Sequence, residues 1–129
     1  MDATPATILV ACLLLCASGS GGAAAAGGGG GCSLSSIVVK QSLTDEWAHG
    51  NPVRAVTVSN TCHCPQSDVK VDCQGFHSAL EVDRKKLKFI YGRCLVNGGD
   101  PVVQEQDVTF RYAWTKEFRF TPVSSKVAC

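Results

Sequence analysis

Toward the end of this chain apolar residues recur at every second position. Val108, Phe110, Tyr112 and Trp114 fall on one side of an extended segment, with Thr109, Arg111 and Ala113 on the other. A period of two predicts a strand with one buried and one wet face. Val53 to Ser59 repeats the pattern, with Val56 and Val58 against Thr57 and Ser59. Asp68 to Cys73 does so again, with Val69, Val71 and Cys73 opposite Asp68, Lys70 and Asp72. Shorter β-prone runs cover Ile37 to Val39, Ala79 to Val82 after a turn at Gly75, and Cys94 to Val96. Leu87, Phe89 and Tyr91 read as one apolar side, and Phe118 and Phe120 follow at spacing two. Between these runs, Thr44 to Pro52 has the composition of a loop, Asp83 to Lys86 that of a charged turn, and Asn97 to Pro101 that of a tight turn. No helical period appears. About seven or eight short strands broken by Gly, Pro, Asn and Asp predict an all-β domain, a small β-sandwich.

The first residues break this pattern. Ile8 to Ala17 is an apolar run with the length of a signal-peptide core, too short to span a bilayer, and small residues acceptable to a signal peptidase follow it. We read residues 1–26 as a secretory signal, residues 27–31 as a glycine-rich leader, and residues 32–129 as one cysteine-rich domain. No later stretch is long and apolar enough to predict a membrane helix. Eight cysteines are present, and removing Cys12 and Cys16 with the signal leaves Cys32, Cys62, Cys64, Cys73, Cys94 and Cys129. An even set in a small secreted domain predicts disulfides that compensate for a modest core. Six cysteines leave fifteen pairings open. Cys62 and Cys64 stand two apart and are poorly placed to bond each other, so each is expected to reach a different partner. Twelve basic against eleven acidic residues give no charge signal for nucleic acid.

A search for reaction chemistry finds no nucleophile elbow, no paired-histidine metal motif and no phosphate-binding glycine loop. The best metal candidate is Cys62, His63, Cys64, Cys73 and His77. Its one-residue gap between cysteines and its oxidising compartment argue against zinc, so neither metal nor cofactor is expected. The carboxylates are scattered. Trp47 reads as an anchor at the edge of the core or as a contact residue.

Several stretches together carry a resemblance. Asn60-x-Cys62-x-Cys64, Val69-x-Val71-x-Cys73-x-Gly75-Phe76-x-Ser78, Cys94-Leu95-Val96-Asn97-x-Gly99-x-Pro101, Val108-x-Phe110-x-Tyr112-Ala113-Trp114 and a terminal Cys129 resemble the plant TAPETUM DETERMINANT-like family over Cys32 to Cys129. The resemblance implies a secreted, non-enzymatic signalling protein of the apoplast. It implies as partner the ectodomain of a leucine-rich-repeat receptor kinase of the EXCESS MICROSPOROCYTES type. The implied outcome is control of cell fate in anthers, specifying tapetal cells and limiting germline cell number. The family's cysteines would map onto the six of the domain. Contact residues are expected among aromatic and cationic side chains in predicted turns, namely Trp47, Arg84, Lys85, Lys86 and Arg93, with Arg111 and Arg119 as second choices. Two alternatives remain. One is a carbohydrate-binding module using Tyr112 and Trp114 as sugar platforms; the other is a small enzyme inhibitor presenting the loop Thr44 to Pro52.

Overall fold

The strands form where the alternation lies. In the computed structural model, which describes residues 31–129, seven strands are present: β1 (Ile37–Ala48), β2 (Asn51–Asn60), β3 (Gln66–Asp72), β4 (Leu87–Ile90), β5 (Arg93–Val96), β6 (Val108–Ala113) and β7 (Thr121–Val127). The expected signal over residues 1–26 and the glycine run up to Gly30 lie outside the described residues. Within β6, Val108, Phe110 and Tyr112 are buried while Thr109 and Arg111 are exposed. Val69 and Val71 of β3 and Val56 and Val58 of β2 are buried by the same alternation. Each such side chain contributes about 1.5–3 kcal/mol when removed from water.

Pairing is antiparallel throughout and builds two sheets, one of three strands in the order β1-β2-β6 and one of four in the order β4-β5-β3-β7. A single core cluster holds them together. Ile37, Val56, Val58, Phe110 and Tyr112 from the first sheet meet Val69, Val71, Leu87 and Val96 from the second. The fold is the all-β sandwich that the alternation predicts. Asn97 (φ 60°), Gly98 (φ 64°) and Gly99 (φ 88°) make the expected turn after β5. At Gly99 a Cβ would stand 3.0 Å from an Asp68 carboxylate oxygen, so glycine serves both conformation and space there.

Four segments depart from the reading above. Ala79 to Val82 is not a strand. It belongs to an irregular connection between β3 and β4, in which the Ala79 amide donates to the Ala113 carbonyl (2.7 Å) and the Ala113 amide donates to Ser78 Oγ (3.0 Å). These bonds cap the free edge of β6 at Ala113, its last residue. Phe118 and Phe120 also lie outside any strand, yet both rings are buried. Of the expected apolar side Leu87, Phe89 and Tyr91, only Leu87 is buried. The cause is that β4 is a four-residue edge strand, so the sheet stops before it can bury the other two. Thr44 to Pro52 is a β-hairpin: β1 continues to Ala48 and β2 begins at Asn51.

Candidate functional site

Two hairpins carry the exposed large apolar side chains of the described residues. In the first, Ala48 pairs with Asn51 across a two-residue turn, His49 (φ 53°) and Gly50 (φ 79°). Positive φ at both positions is the turn whose twist matches that of the flanking strands. Farther back, the register slips between Leu43 and Trp47, so Thr44, Asp45 and Glu46 oppose Val53 alone. Thr44 Oγ1 holds this bulge by donating to the Val53 carbonyl (2.8 Å) and accepting from the Glu46 amide (3.1 Å). Leu43 and Trp47 flank the bulge at 63% and 69% exposure. Trp47 is therefore a strand residue facing water and not an anchor of the core. Glu46 pairs with Arg111 of β6.

The second hairpin joins β4 to β5. Ile90 pairs with Arg93 across Tyr91 (φ 50°) and Gly92 (φ 84°), the same kind of turn. Tyr91 is 97% exposed and Phe89 58%. Arg84, Lys85 and Lys86 form the turn that leads into β4, where an Asp83 carboxylate oxygen accepts from the Lys85 amide (2.9 Å). Arg93 opens β5 and is a strand residue, not the turn residue expected. The five expected contact residues thus fall in three places: Trp47 in the three-stranded sheet, Arg84 to Lys86 at one end of β4, and Arg93 beside its other end. Arg119, a second choice, lines a shallow cleft with Gln41 and Glu117.

A hydrogen-bonded network joins β1, β6 and the segment that precedes β7. The Tyr112 hydroxyl donates to Gln41 Oε1 (2.7 Å) and accepts from the Phe118 amide (3.0 Å), while Gln41 Nε2 donates to the Phe118 carbonyl (2.5 Å). Burial pushes the Tyr112 phenol above its ordinary pKa, against the lowering influence of the Phe118 hydrogen bond and of Arg54. Phe76 meets Tyr112, Phe118 and Phe120 edge-on at centroid distances of 5.4, 5.3 and 5.5 Å. Three residues before it, the Cys73 amide donates to the Gly92 carbonyl (3.5 Å), and Cys73 is bonded to Cys94 with a Cα separation of 5.8 Å.

The opposite end of the sandwich is tied differently. Cys32 is bonded to Cys62 with a Cα separation of 5.7 Å, and Cys64 and Cys129 are disulfide-bonded as well. Asn60 is buried and its amide donates to the Cys64 and Val102 carbonyls, both at 2.9 Å. Buried Gln66 donates to the Ser33 carbonyl (2.8 Å) and accepts from the Ser125 hydroxyl (2.6 Å). These satisfied amides clamp the ends of β2, β3 and β7.

Other chemistry finds little to build on. Cys62 Sγ lies 4.0 Å from His63 Nδ1, but a sulfur in a disulfide is not the thiolate a zinc site requires. His77, also in the metal candidate, stacks on Trp114 at 5.4 Å. Tyr112 is fully buried, and Trp114 packs half-buried against the core. This pair is therefore not a sugar platform. Leu43 escaped the sequence reading, and Phe89 and Tyr91 were read as one apolar side with Leu87 and not as exposed side chains. The His49-Gly50 and Tyr91-Gly92 dipeptides were the signals that could have found the turns.

Residues 33–129 match the family described as Tapetum determinant 1, C-terminal. The chain is 35% identical over 88 residues to an uncharacterized protein of Arabidopsis thaliana, covering 65% of this chain and 68% of that one. It is 32% identical over 100 residues to TPD1 protein homolog 1B of Oryza sativa subsp. japonica, covering 76% and 58%. It is 31% identical over 101 residues to TPD1 protein homolog 1 of Arabidopsis thaliana, covering 76% and 55%. The matches thus span little more than half the length of the two TPD1 homologues. No solved structure matches the chain.

Proposed function

The chain belongs to the Tapetum determinant 1 family, and from that premise we propose that it is a secreted ligand for the ectodomain of a leucine-rich-repeat receptor kinase. On this reading it works in the apoplast to control plant cell fate, as in specifying the tapetum and limiting germline cell number in anthers. The observation that carries the reading is the family match, which spans the domain from Ser33 to Cys129. The mechanism is binding without chemistry. Disulfides and buried amides hold the sandwich rigid, so little ordering cost falls on association. Large side chains already stand in water, ready to lose it.

Contact residues on this reading are Trp47 with its neighbour Leu43, the cations Arg84, Lys85 and Lys86, and Arg93. Trp and Arg dominate interface energetics because each buries a large area and keeps a directed polar group. None of these four cations forms an ion pair among the described residues, so their charges are free for an acidic partner.

The test is binding of the oxidised protein to a panel of leucine-rich-repeat ectodomains, with a reduced and alkylated sample beside it. The expected result is roughly micromolar or tighter affinity, about −8 kcal/mol or better, that disappears on reduction. Failure of a monodisperse, fully oxidised sample to bind any ectodomain would sink the reading.

A further inference from the structure

We propose that the outer face of the four-stranded sheet, beside the Tyr91 turn, binds a polyuronate, a polysaccharide whose sugars carry carboxylates. This site shares Arg93 with the receptor reading but is carried by Lys70, Lys88, Leu95 and Tyr91, and its test uses no receptor. Burial of Val71 and Cys94 sets the opposite side of β3 and β5 as the outer face. On it, Lys70, Leu95 and Lys88 lie in one row of the register, with Asp72, Arg93 and Ile90 in the next. Lys70, Ile90, Tyr91, Arg93 and Leu95 line a shallow open groove of about 300 Å³.

Charge is the first argument. From Arg84 to Arg93, ten residues hold five of the chain's twelve cations and no acid. Of these, Lys88 and Arg93 stand on the outer face, and Lys70 adds a third cation there. Asp68 is paired with Lys126 at 3.2 Å, and Asp72, beside Arg93 in the register, accepts the Gln74 amide at 3.2 Å and keeps its charge, so Lys70, Lys88 and Arg93 outnumber it on this face. The groove cations have no ion-pair partner among the described residues.

Geometry is the second. Lys70 and Lys88 are separated by two inter-strand steps, about 9.6 Å of backbone spacing, with the apolar Leu95 between them. A polymer with regularly repeated carboxylates can neutralise both while the apolar faces of its sugar rings rest on Leu95, Ile90 and the phenol ring. The shallowness of the groove favours an extended chain over a protein partner, whose anchors need enclosed pockets to lose their water.

Tyr91 is the third. It holds a left-handed φ of 50° that bulky residues rarely adopt, in a turn where asparagine fits with less strain. Its ring is 97% exposed and contributes nothing to the core. Strain kept at an exposed aromatic side chain points to a contact and not to folding.

The experiment titrates the oxidised protein at about 0.15 M salt with polygalacturonate, its fully methyl-esterified form, dextran sulfate and poly-glutamate. Polygalacturonate is expected to bind and the esterified polymer is not. Lys70→Ala with Lys88→Ala, and separately Tyr91→Asn, are each expected to weaken binding roughly tenfold or more, a loss of about 1.4 kcal/mol. Tyr91→Asn suits its turn, so its unfolding midpoint and absence of free thiols serve as the folding control. The proposal is overturned by no binding, by equal binding of the esterified polymer, or by affinity that survives Tyr91→Asn. Dextran sulfate matching polygalacturonate would overturn it by showing charge attraction alone. Poly-glutamate matching it would do so by showing a site for acidic protein.

Discussion

At His49–Gly50 and at Tyr91–Gly92 the backbone reverses in two residues with both φ positive, yet the two hairpins are attached to the sandwich in different ways. The first has strands of 12 and 10 residues, a bulge partway along, and no disulfide within its strands, the Cys32–Cys62 bond lying beyond its open end. Its partner β6 ends at Ala113, opposite Val53, so its last residues extend past the sheet. The second has strands of four residues each and is pinned at Cys94 to Cys73. One projects a tryptophan and a leucine beside Asp45 and Glu46; the other projects a tyrosine and a phenylalanine among cations. A shared turn thus sets where side chains stand, and the side chains that packing does not use give each hairpin its chemistry.

The difference in attachment can be broken most severely at the disulfide. Replacing Cys73 and Cys94 together with alanine should cost roughly 3 kcal/mol, since the bond closes a loop of 21 residues. A urea melt would show the loss, and hydrogen exchange should place the loosening in β4 and β5. Next in size is the hydrogen-bonded network of Tyr112, Gln41 and Phe118. Tyr112→Phe strands Gln41 Oε1 and the Phe118 amide and should cost about 1–3 kcal/mol. Because burial raises the Tyr112 pKa above its unfolded value, its contribution is intact below about pH 10 and falls as pH rises through the folded value. Alkaline titration of stability should show that fall, and Tyr112→Phe should reduce it.

Smaller changes sharpen the contrast. Thr44→Val removes the hydroxyl that closes the bulge and should cost about 1 kcal/mol, loosening the first hairpin alone by hydrogen exchange. Tyr91→Asn should raise stability by about 0.5–1 kcal/mol in the same melts, because asparagine tolerates the left-handed conformation better. Unchanged or reduced stability would remove the argument that this tyrosine is kept at a structural cost.

How legible these regions were follows from where burial supplies a pattern. β2, β3 and β6 could be read because Val56, Val58, Val69, Val71, Phe110 and Tyr112 are buried at every second position. The outer half of β1 could not, since Leu43 to Ala48 extends past the core and water on both sides erases the alternation. His49 and Tyr91 hid their turns by standing where asparagine is the usual signal. Phe118 and Phe120 gave a true signal of burial and a false one of strand. Side-chain bonds from Gln41 and Tyr112 hold that segment, and spacing in the sequence cannot show such bonds. Among the candidate contacts, Trp47 and the cations were visible as residue types. Their division among three places required the register.

The most direct test of the receptor reading is to compare the wild-type protein with two variants on an ectodomain that binds it. Trp47→Ala alters the first hairpin, and alanine at Arg84, Lys85 and Lys86 alters the turn into β4. Each should lose roughly tenfold or more in affinity, about 1.4 kcal/mol, with the urea midpoint within the range of ordinary surface changes, about 0.5 kcal/mol. Both variants binding as tightly as the wild type would contradict this placement of the contact surface.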